Sequence, residues 1–350
     1  MIFLACFCIS IIFLLIVIGN GKKVGINFFL LIAVIAIGNG GHYAVAVSQN
    51  LQEAILANKL AYVIGCFAPM MVFFIICNIC RVRISGIAGT IIYSVQMIVY
   101  FSVLTTGVSD IFYKSVEYHR GETFAYLTKT YGFMHTVYLI TMIGYTLAGI
   151  VVGLVSLNRK NVVSRTNVCI VLMANALSVG VYMTERFVRL DIELMPVVFV
   201  IALIIISIPL FRIYNYSITT VRSDFDDRYR RTGYIIFDNK LRYMSANEFA
   251  QELFPELEEW EIEVKIPGNG GRFNTFLRQP LMAFVRMEEH DKLYNGIFEY
   301  KDMKYRYQIG TIFSSNKRQY GYCIRLVAAK DIAPEFVRDD EIQQSEHNTH

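Results

Sequence analysis

The residues able to do chemistry in this chain are few, and most lie among apolar neighbours. Asn39, His42, Lys59, Gln96, His135, Tyr138, Glu185 and Arg186 all fall inside or at the ends of long hydrophobic runs. A strongly polar or ionisable group is costly inside a bilayer, so each is a functional candidate by default. Imidazole, carboxylate, cationic, amide and phenol groups of this kind suit hydrogen bonding and charge pairing with a small molecule. We expect a ligand pocket between helices, with Glu185, His42 and His135 as its polar anchors. The competing expectation is a set of interfacial residues near helix ends, bonded to one another or to lipid headgroups. His42 and His135 without a third placed ligand are thin support for a metal site. Cys77 and Cys80 form a C-x2-C pair with no second pair at zinc spacing, which fits small helix-packing residues. No cofactor and no catalytic constellation is expected.

These residues need helices to hold them. Of the 350 residues, 55% are hydrophobic and 18% charged, with a mean hydropathy of +0.43, whereas a soluble domain carries about a quarter charged residues. The average hides a division, since 7 of the 29 acidic residues lie in 1–211 and 22 in the remainder. A membrane-crossing helix needs roughly 20 apolar residues. Seven stretches meet or approach that: Met1–Ile18, Ile26–Ser48, Leu56–Cys80, Ser85–Leu104, Phe133–Leu157, Val168–Phe187 and Pro196–Ile213. Gly38, Gly40, Gly41, Gly144 and Gly149 are expected to permit close helix packing. Pro196–Ile213 contains no lysine, so a retinal Schiff base in the last span is excluded.

The loops after spans one, three and five carry Lys22, Lys23, Arg81, Arg83, Arg159, Lys160 and Arg165 with no acidic residue. The opposite loops are longer and mix both signs. Basic residues favour the cytoplasmic side, so the N-terminus is expected outside and everything after residue 213 inside. On that topology all the candidates except Gln96 gather toward the outer leaflet. The loop 105–132, with Tyr113, Tyr118, Tyr126 and Tyr131, either caps a site or lies at the membrane surface.

From residue 212 the composition changes. Residues 212–232 mix charges with apolar residues at helical spacing, which predicts a helical linker able to pair with a second copy. Residues 233–332 then give strands at Tyr234–Phe237 and Leu241–Met244, and a helix from Glu248 to Leu257. A second helix over Asn274–Val285, interrupted near Pro280, precedes three antiparallel strands at Ile297–Tyr300, Lys304–Phe313 and Tyr320–Val327. The fold class is therefore a seven-helix α-helical membrane protein followed by an α/β domain with a five-stranded antiparallel sheet. Residues 333–350 form a polar tail.

The segments Gly233-Tyr-Ile-Ile-Phe-Asp238, Arg242-Tyr-Met-Ser-Ala-Asn247 and Leu253-Phe-Pro-Glu-Leu257 resemble the opening of a bacterial PAS domain, and Ala329-Lys-Asp-Ile332 resembles its exit. The first region, notably Phe112-Tyr-Lys-Ser-Val-Glu117 and Tyr131-Gly-Phe-Met-His135, resembles the seven-helix N-terminal region of bacterial histidine kinases. The resemblance implies a multi-pass cell-membrane sensor that relays a small-molecule or membrane-derived stimulus through a PAS domain, as a homodimer, to a kinase or diguanylate cyclase output. No kinase or Gly-Gly-Asp-Glu-Phe motif occurs in the 19 residues after Asp331. The expected partners are the lipid bilayer, the signal molecule and a cytoplasmic output protein, with no nucleic acid. The alternatives are a truncated sensor kinase or cyclase, and a seven-helix transporter-like protein with a regulatory domain.

Overall fold

A computed structural model describes residues 1–19, 25–121, 124–159, 163–188, 194–216, 232–266, 268, 271–287, 294–301, 303–313 and 319–328. The Lys22–Lys23 loop, linker residues 217–231, His290, the Ser314–Lys317 turn, the Asp331–Ile332 exit and the 333–350 tail lie outside these. The chain divides into two units. One comprises Met1–Arg159 with Arg165–Phe211, and the other Lys160–Ser164 with Arg212–His350.

The first unit holds seven helices long and apolar enough to cross a membrane. They are α1 (Ile2–Gly19), α2 (Ile26–Val47), α3 (Leu51–Ile79), α4 (Gly86–Leu104), α5 (Phe133–Ser156), α6 (Arg165–Val188) and α7 (Met195–Asn215). The multi-pass membrane expectation therefore stands. Ile9, Ile12 and Leu15 of α1 and Ile91, Ile98 and Phe101 of α4 are exposed, as lipid-facing residues are in a bundle that cannot exclude water by itself.

Close packing rests on small residues, because lipid tails remove the hydrophobic drive between helices. A Cβ at Gly41 would collide with the Ala61 backbone, and one at Gly38 with the Ile64 side chain, so α2 and α3 approach almost backbone to backbone. Gly149 meets Ile76 in the same way, whereas a Cβ at Gly144 would meet nothing within 4 Å, against its expected packing role. Asn50 caps α3 by accepting from the Glu53 amide at 3.0 Å. This moves the start of α3 to Leu51, five residues ahead of the expected Leu56, and puts Lys59 two turns inside the helix.

Between α4 and α5 the expected loop is a hairpin, β1 (Tyr113–Arg120) with β2 (Ala125–Tyr131). The tyrosines recur at strand-like intervals, but their mixture with charges hid the pairing. Gly132 closes the base: its amide donates to the Phe112 carbonyl at 2.8 Å, and a Cβ there would lie 2.5 Å from the Asp110 and Ile111 carbonyl oxygens. The Tyr118 hydroxyl donates to the Ser48 carbonyl at 2.8 Å, and the Tyr113 hydroxyl to that of Tyr62, tying β1 to the end of α2 and to the body of α3. Burial pushes the Tyr113 phenol well above the ordinary tyrosine value.

The second unit has a five-stranded antiparallel sheet in the order β4-β3-β7-β6-β5. The strands are β3 (Gly233–Asp238), β4 (Tyr243–Ala246), β5 (Tyr294–Tyr300), β6 (Met303–Phe313) and β7 (Gln319–Ala328). Between β4 and β5 lie α8 (Glu248–Leu253), a 3-10 turn (Pro255–Glu259) and α9 (Gly271–Arg286). Several boundaries differ from expectation: α8 ends at Leu253 rather than Leu257, α9 starts at Gly271 rather than Asn274, and β5 starts at Tyr294 rather than Ile297. The second strand is displaced by two residues because Asp238 holds the preceding turn, accepting from the Lys240 and Arg242 amides at 2.9 Å and from Arg242 Nε at 2.7 Å. Pro280 does not interrupt α9, which runs through it.

Side chains alternate along β3, as the period of two requires. Ile235 and Phe237 face a core filled by Phe254, Phe273, Phe284 and Tyr305, while Tyr234 and Ile236 face Met244, Ile312 and Cys323. The Phe254 ring stacks on Phe273 at 4.6 Å and lies within 6.0 Å of Phe298, Tyr300 and Tyr305.

Candidate functional site

A cavity of about 550 Å³ opens inside the first unit, bounded by α2, α3, α5, α6, α7 and β2. That size lies within the ~300–1,000 Å³ usual for small-molecule sites. Along α3 the wall runs from Asn58 to Val72, which at ~1.5 Å per residue is roughly 21 Å. The wall on α5 extends similarly, from His135 to Ile150.

One end is polar and aromatic. His135 is buried, stacks on Tyr131 at 3.9 Å, and lies 5.4 to 6.0 Å from the rings of Phe112, Tyr113 and Tyr138. The Tyr62 ring is 5.5 Å from that of Tyr138, and Lys129 Nζ of β2 stands 5.6 Å from the Tyr62 centroid and 5.8 Å from that of Tyr113. These separations suit ring packing and cation–π contact. Gly65 makes room for Tyr138, whose hydroxyl a Cβ at that position would strike. Four residues on, Pro69 interrupts the α3 hydrogen-bond ladder in the cavity wall.

The opposite end is chemically apolar. Leu31, Ile35, Val72, Ile150, Leu203 and Ile206 line it. Its few polar side chains are bonded to backbone. Thr146 Oγ1 donates to Met142 O at 3.0 Å, Ser178 Oγ to Ala174 O at 3.0 Å, and Asn175 Nδ2 to Thr146 O at 3.4 Å.

The eight sequence candidates separate on this geometry. His42, His135, Tyr138 and Glu185 line the cavity. Glu185 also has a structural task, because its Oε1 accepts from the Leu194 amide and, at 3.0 Å, from the Met195 amide at the start of α7. A carboxylate on the first amides of a helix complements its dipole and its unsatisfied donors. Asn39 is buried away from the cavity and donates to Ser10 Oγ at 2.9 Å, joining α2 to α1. Gln96 is buried on α4 beside Cys66, and Lys59 is half-buried with its carbonyl accepting from the Tyr100 hydroxyl at 3.4 Å. Neither lines the cavity. Arg186 falls within α6, and its side chain is outside the described part.

Sequence reasoning missed Asn58, Tyr62 and Lys129, and gave Tyr131 only as one of four loop tyrosines that either cap a site or lie at the membrane surface. The period of α3 contained a signal for two of them, since Asn58, Tyr62, Gly65 and Pro69 recur at three-to-four spacing on one face. Lys129 and Tyr131 were legible only with the hairpin register. Among the described residues no three His, Cys, Asp or Glu side chains converge as a metal site.

Comparison with curated proteins returns no match. The family model of the N-terminal 7TM region of histidine kinase matches residues 1–218. The hollow seven-helix unit and this match, which spans more than half of the chain, lead to one conclusion: the chain belongs to the family of N-terminal seven-transmembrane regions of histidine kinases, a membrane sensor module.

Proposed function

We propose that this module senses a small-molecule or membrane-derived signal in the cavity between α2, α3, α5, α6 and α7. The second unit then relays the signal as a PAS-like domain to a histidine kinase or diguanylate cyclase output of a two-component type pathway. The single observation that carries this reading is the cavity itself, polar at one end and apolar at the other, in a family of sensor regions. The basic loops favour an outside N-terminus and a cytoplasmic second unit. A ligand shifts helix packing only if it binds two packings unequally, and Pro69, which takes one hydrogen bond out of α3, is where we place the change in that helix.

The relay starts at the end of α7. Within the second unit, Arg212 pairs with Glu263, the Tyr216 hydroxyl donates to Tyr320 O at 3.0 Å, and Ser245 Oγ donates to Tyr216 O at 3.1 Å. Any rotation of this segment therefore pulls on β4 and β7. Pairing of two copies through 217–231 remains part of the proposal, as does a kinase catalytic region continuing the same polypeptide, which the family match favours.

The test fills the cavity. Ala174→Phe puts a ring into the wall at a buried position. Hydrogen exchange of the full chain in lipid nanodiscs should then change across β3, β4 and β7 as well as locally. Unchanged exchange throughout 233–328 would show that the cavity does not speak to the second unit.

A further inference from the structure

The donors left over at the polar end define what the cavity takes. This inference rests on the cavity being the sensing site. Asn58 is buried in the wall, 2% exposed, and its Nδ2 makes no well-formed hydrogen bond among the described residues, although the side chain stands close enough to the Tyr113 hydroxyl to interact with it. The Tyr138 hydroxyl, also in the wall, meets only the Met142 sulfur at 3.8 Å. Lys129 Nζ faces the Tyr62 and Tyr113 rings, and no described carboxylate lies within ion-pair distance of it. All three are donors, and one of them is a cation. The carboxylate on the same wall, Glu185, is engaged with the α7 amides. A buried donor without an acceptor is costly and is relieved when a ligand supplies one. From this end the cavity runs, over a total of roughly 21 Å, into an apolar part whose hydroxyls and amide are already bonded to backbone.

We infer that the cavity binds an amphiphile with an anionic, acceptor-rich head, its carboxylate or phosphate at Lys129, Asn58 and Tyr138 and a hydrocarbon chain directed toward Leu203 and Ile206. A free fatty acid and an anionic bilayer lipid share this chemistry. An uncharged apolar molecule would leave the donors unmet, and a cationic amphiphile would face Lys129.

The experiment uses the full chain in nanodiscs of zwitterionic lipid, with radiolabelled dodecanoate as the probe. Saturable binding of one dodecanoate per chain is expected. Lys129→Gln should weaken it about tenfold, the loss typical of one charge-assisted hydrogen bond, and Lys129→Arg should restore most of it. Dodecyltrimethylammonium should not compete. Replacing part of the nanodisc lipid with an anionic phospholipid separates the sources. Displacement of dodecanoate identifies the bilayer lipid as occupant, and undiminished binding identifies the free acid. Equal competition by the cationic amphiphile, or unchanged affinity in Lys129→Gln, would overturn the anionic head. Ala174→Trp keeps the two readings apart. If labelled dodecanol binds in place of dodecanoate and Ala174→Trp abolishes it, the head is wrong and the cavity stands. If neither probe binds saturably, the cavity reading fails with it.

Discussion

The two units solve opposite packing problems. The second closes its centre with rings, so that Phe237, Phe254, Phe284 and Tyr305 are almost wholly buried in one apolar cluster. The first brings α2 and α3 together through glycines, yet leaves about 550 Å³ open between α3 and the later helices. A filled core transmits displacement because it cannot deform continuously. An unfilled one can change packing when something enters. The contrast teaches where each unit can give way: the membrane unit has room to admit a guest, and the sheet unit is packed to hold its shape.

The largest effect should come from hollowing the filled unit. Phe254→Ala removes the ring packed against Phe273, Phe298, Tyr300 and Tyr305, and a truncation of this kind costs about 3–5 kcal/mol. The chain contains one tryptophan, Trp260, which lies in that core and donates to Asn274 Oδ1 at 3.1 Å. Its fluorescence reports the unfolding of the second unit alone. A fall in the urea midpoint consistent with that loss is expected. By contrast, Leu203→Ala, at a wall already facing empty space, forfeits fewer contacts and should cost about 1–2 kcal/mol on a helical-signal melt in nanodiscs. If the Leu203 variant loses as much as the Phe254 variant, the wall is packed and the contrast collapses.

The second test crowds the α2–α3 seam of the hollow unit. At Gly41 any side chain meets Ala61 backbone, which cannot rotate away. Gly41→Val should cost at least the ~1–3 kcal/mol of an overpacked core, read as a lower melting temperature of the nanodisc-held chain. Gly144→Val is the control, because its Cβ would meet nothing within 4 Å. Equal effects at the two positions would remove the distinction between seam and cavity.

What the sequence disclosed follows the same division. The spans and the sheet were legible because apolar periodicity survives without tertiary knowledge. Asp238, Arg242 and Asn247, quoted above as a resemblance, turn out to be local hydrogen-bonding residues. Asp238 and Arg242 close the β3–β4 turn, and Asn247 Oδ1 accepts from the Ala250 amide at 3.0 Å and the Tyr234 amide at 2.9 Å. Half of the candidate residues lie on the cavity wall because intramembrane polarity is a real signal. That signal does not tell a ligand contact from a helix tie, so Asn39, which bonds Ser10, looked no different from His135. Lys129 was hidden because its place depends on pairing with Val116 across the hairpin, a relation between residues distant in sequence.

Glu185 tests whether a wall residue belongs to the scaffold. Glu185→Ala should remove the acceptor for two α7 amides and cost about 1 kcal/mol, as loss of a helix cap does. Glu185→Gln keeps an oxygen acceptor and should recover most of it. Recovery in a nanodisc melt would assign Glu185 to structure, and a stable Ala variant would return it to the ligand.

The smallest effect concerns charge in the filled unit. Burial, together with the neighbouring Tyr294, pushes the Tyr307 phenol up to about 12 from an ordinary 10.0. The folded state therefore keeps a proton that the unfolded chain releases. The stability contributed is fully present below pH 10 and declines as pH rises through 10 toward 12. The Trp260 unfolding midpoint should fall across that window, and Tyr307→Phe should make the fall shallower, since phenylalanine has no proton to lose. The ring contact with Tyr294, 6.2 Å between centroids, is retained in that variant, so a change in slope is attributable to the hydroxyl rather than to lost packing. An unchanged slope would mean that Tyr307 is already open to water, and that the edge of the sheet unit, unlike its centre, is not filled.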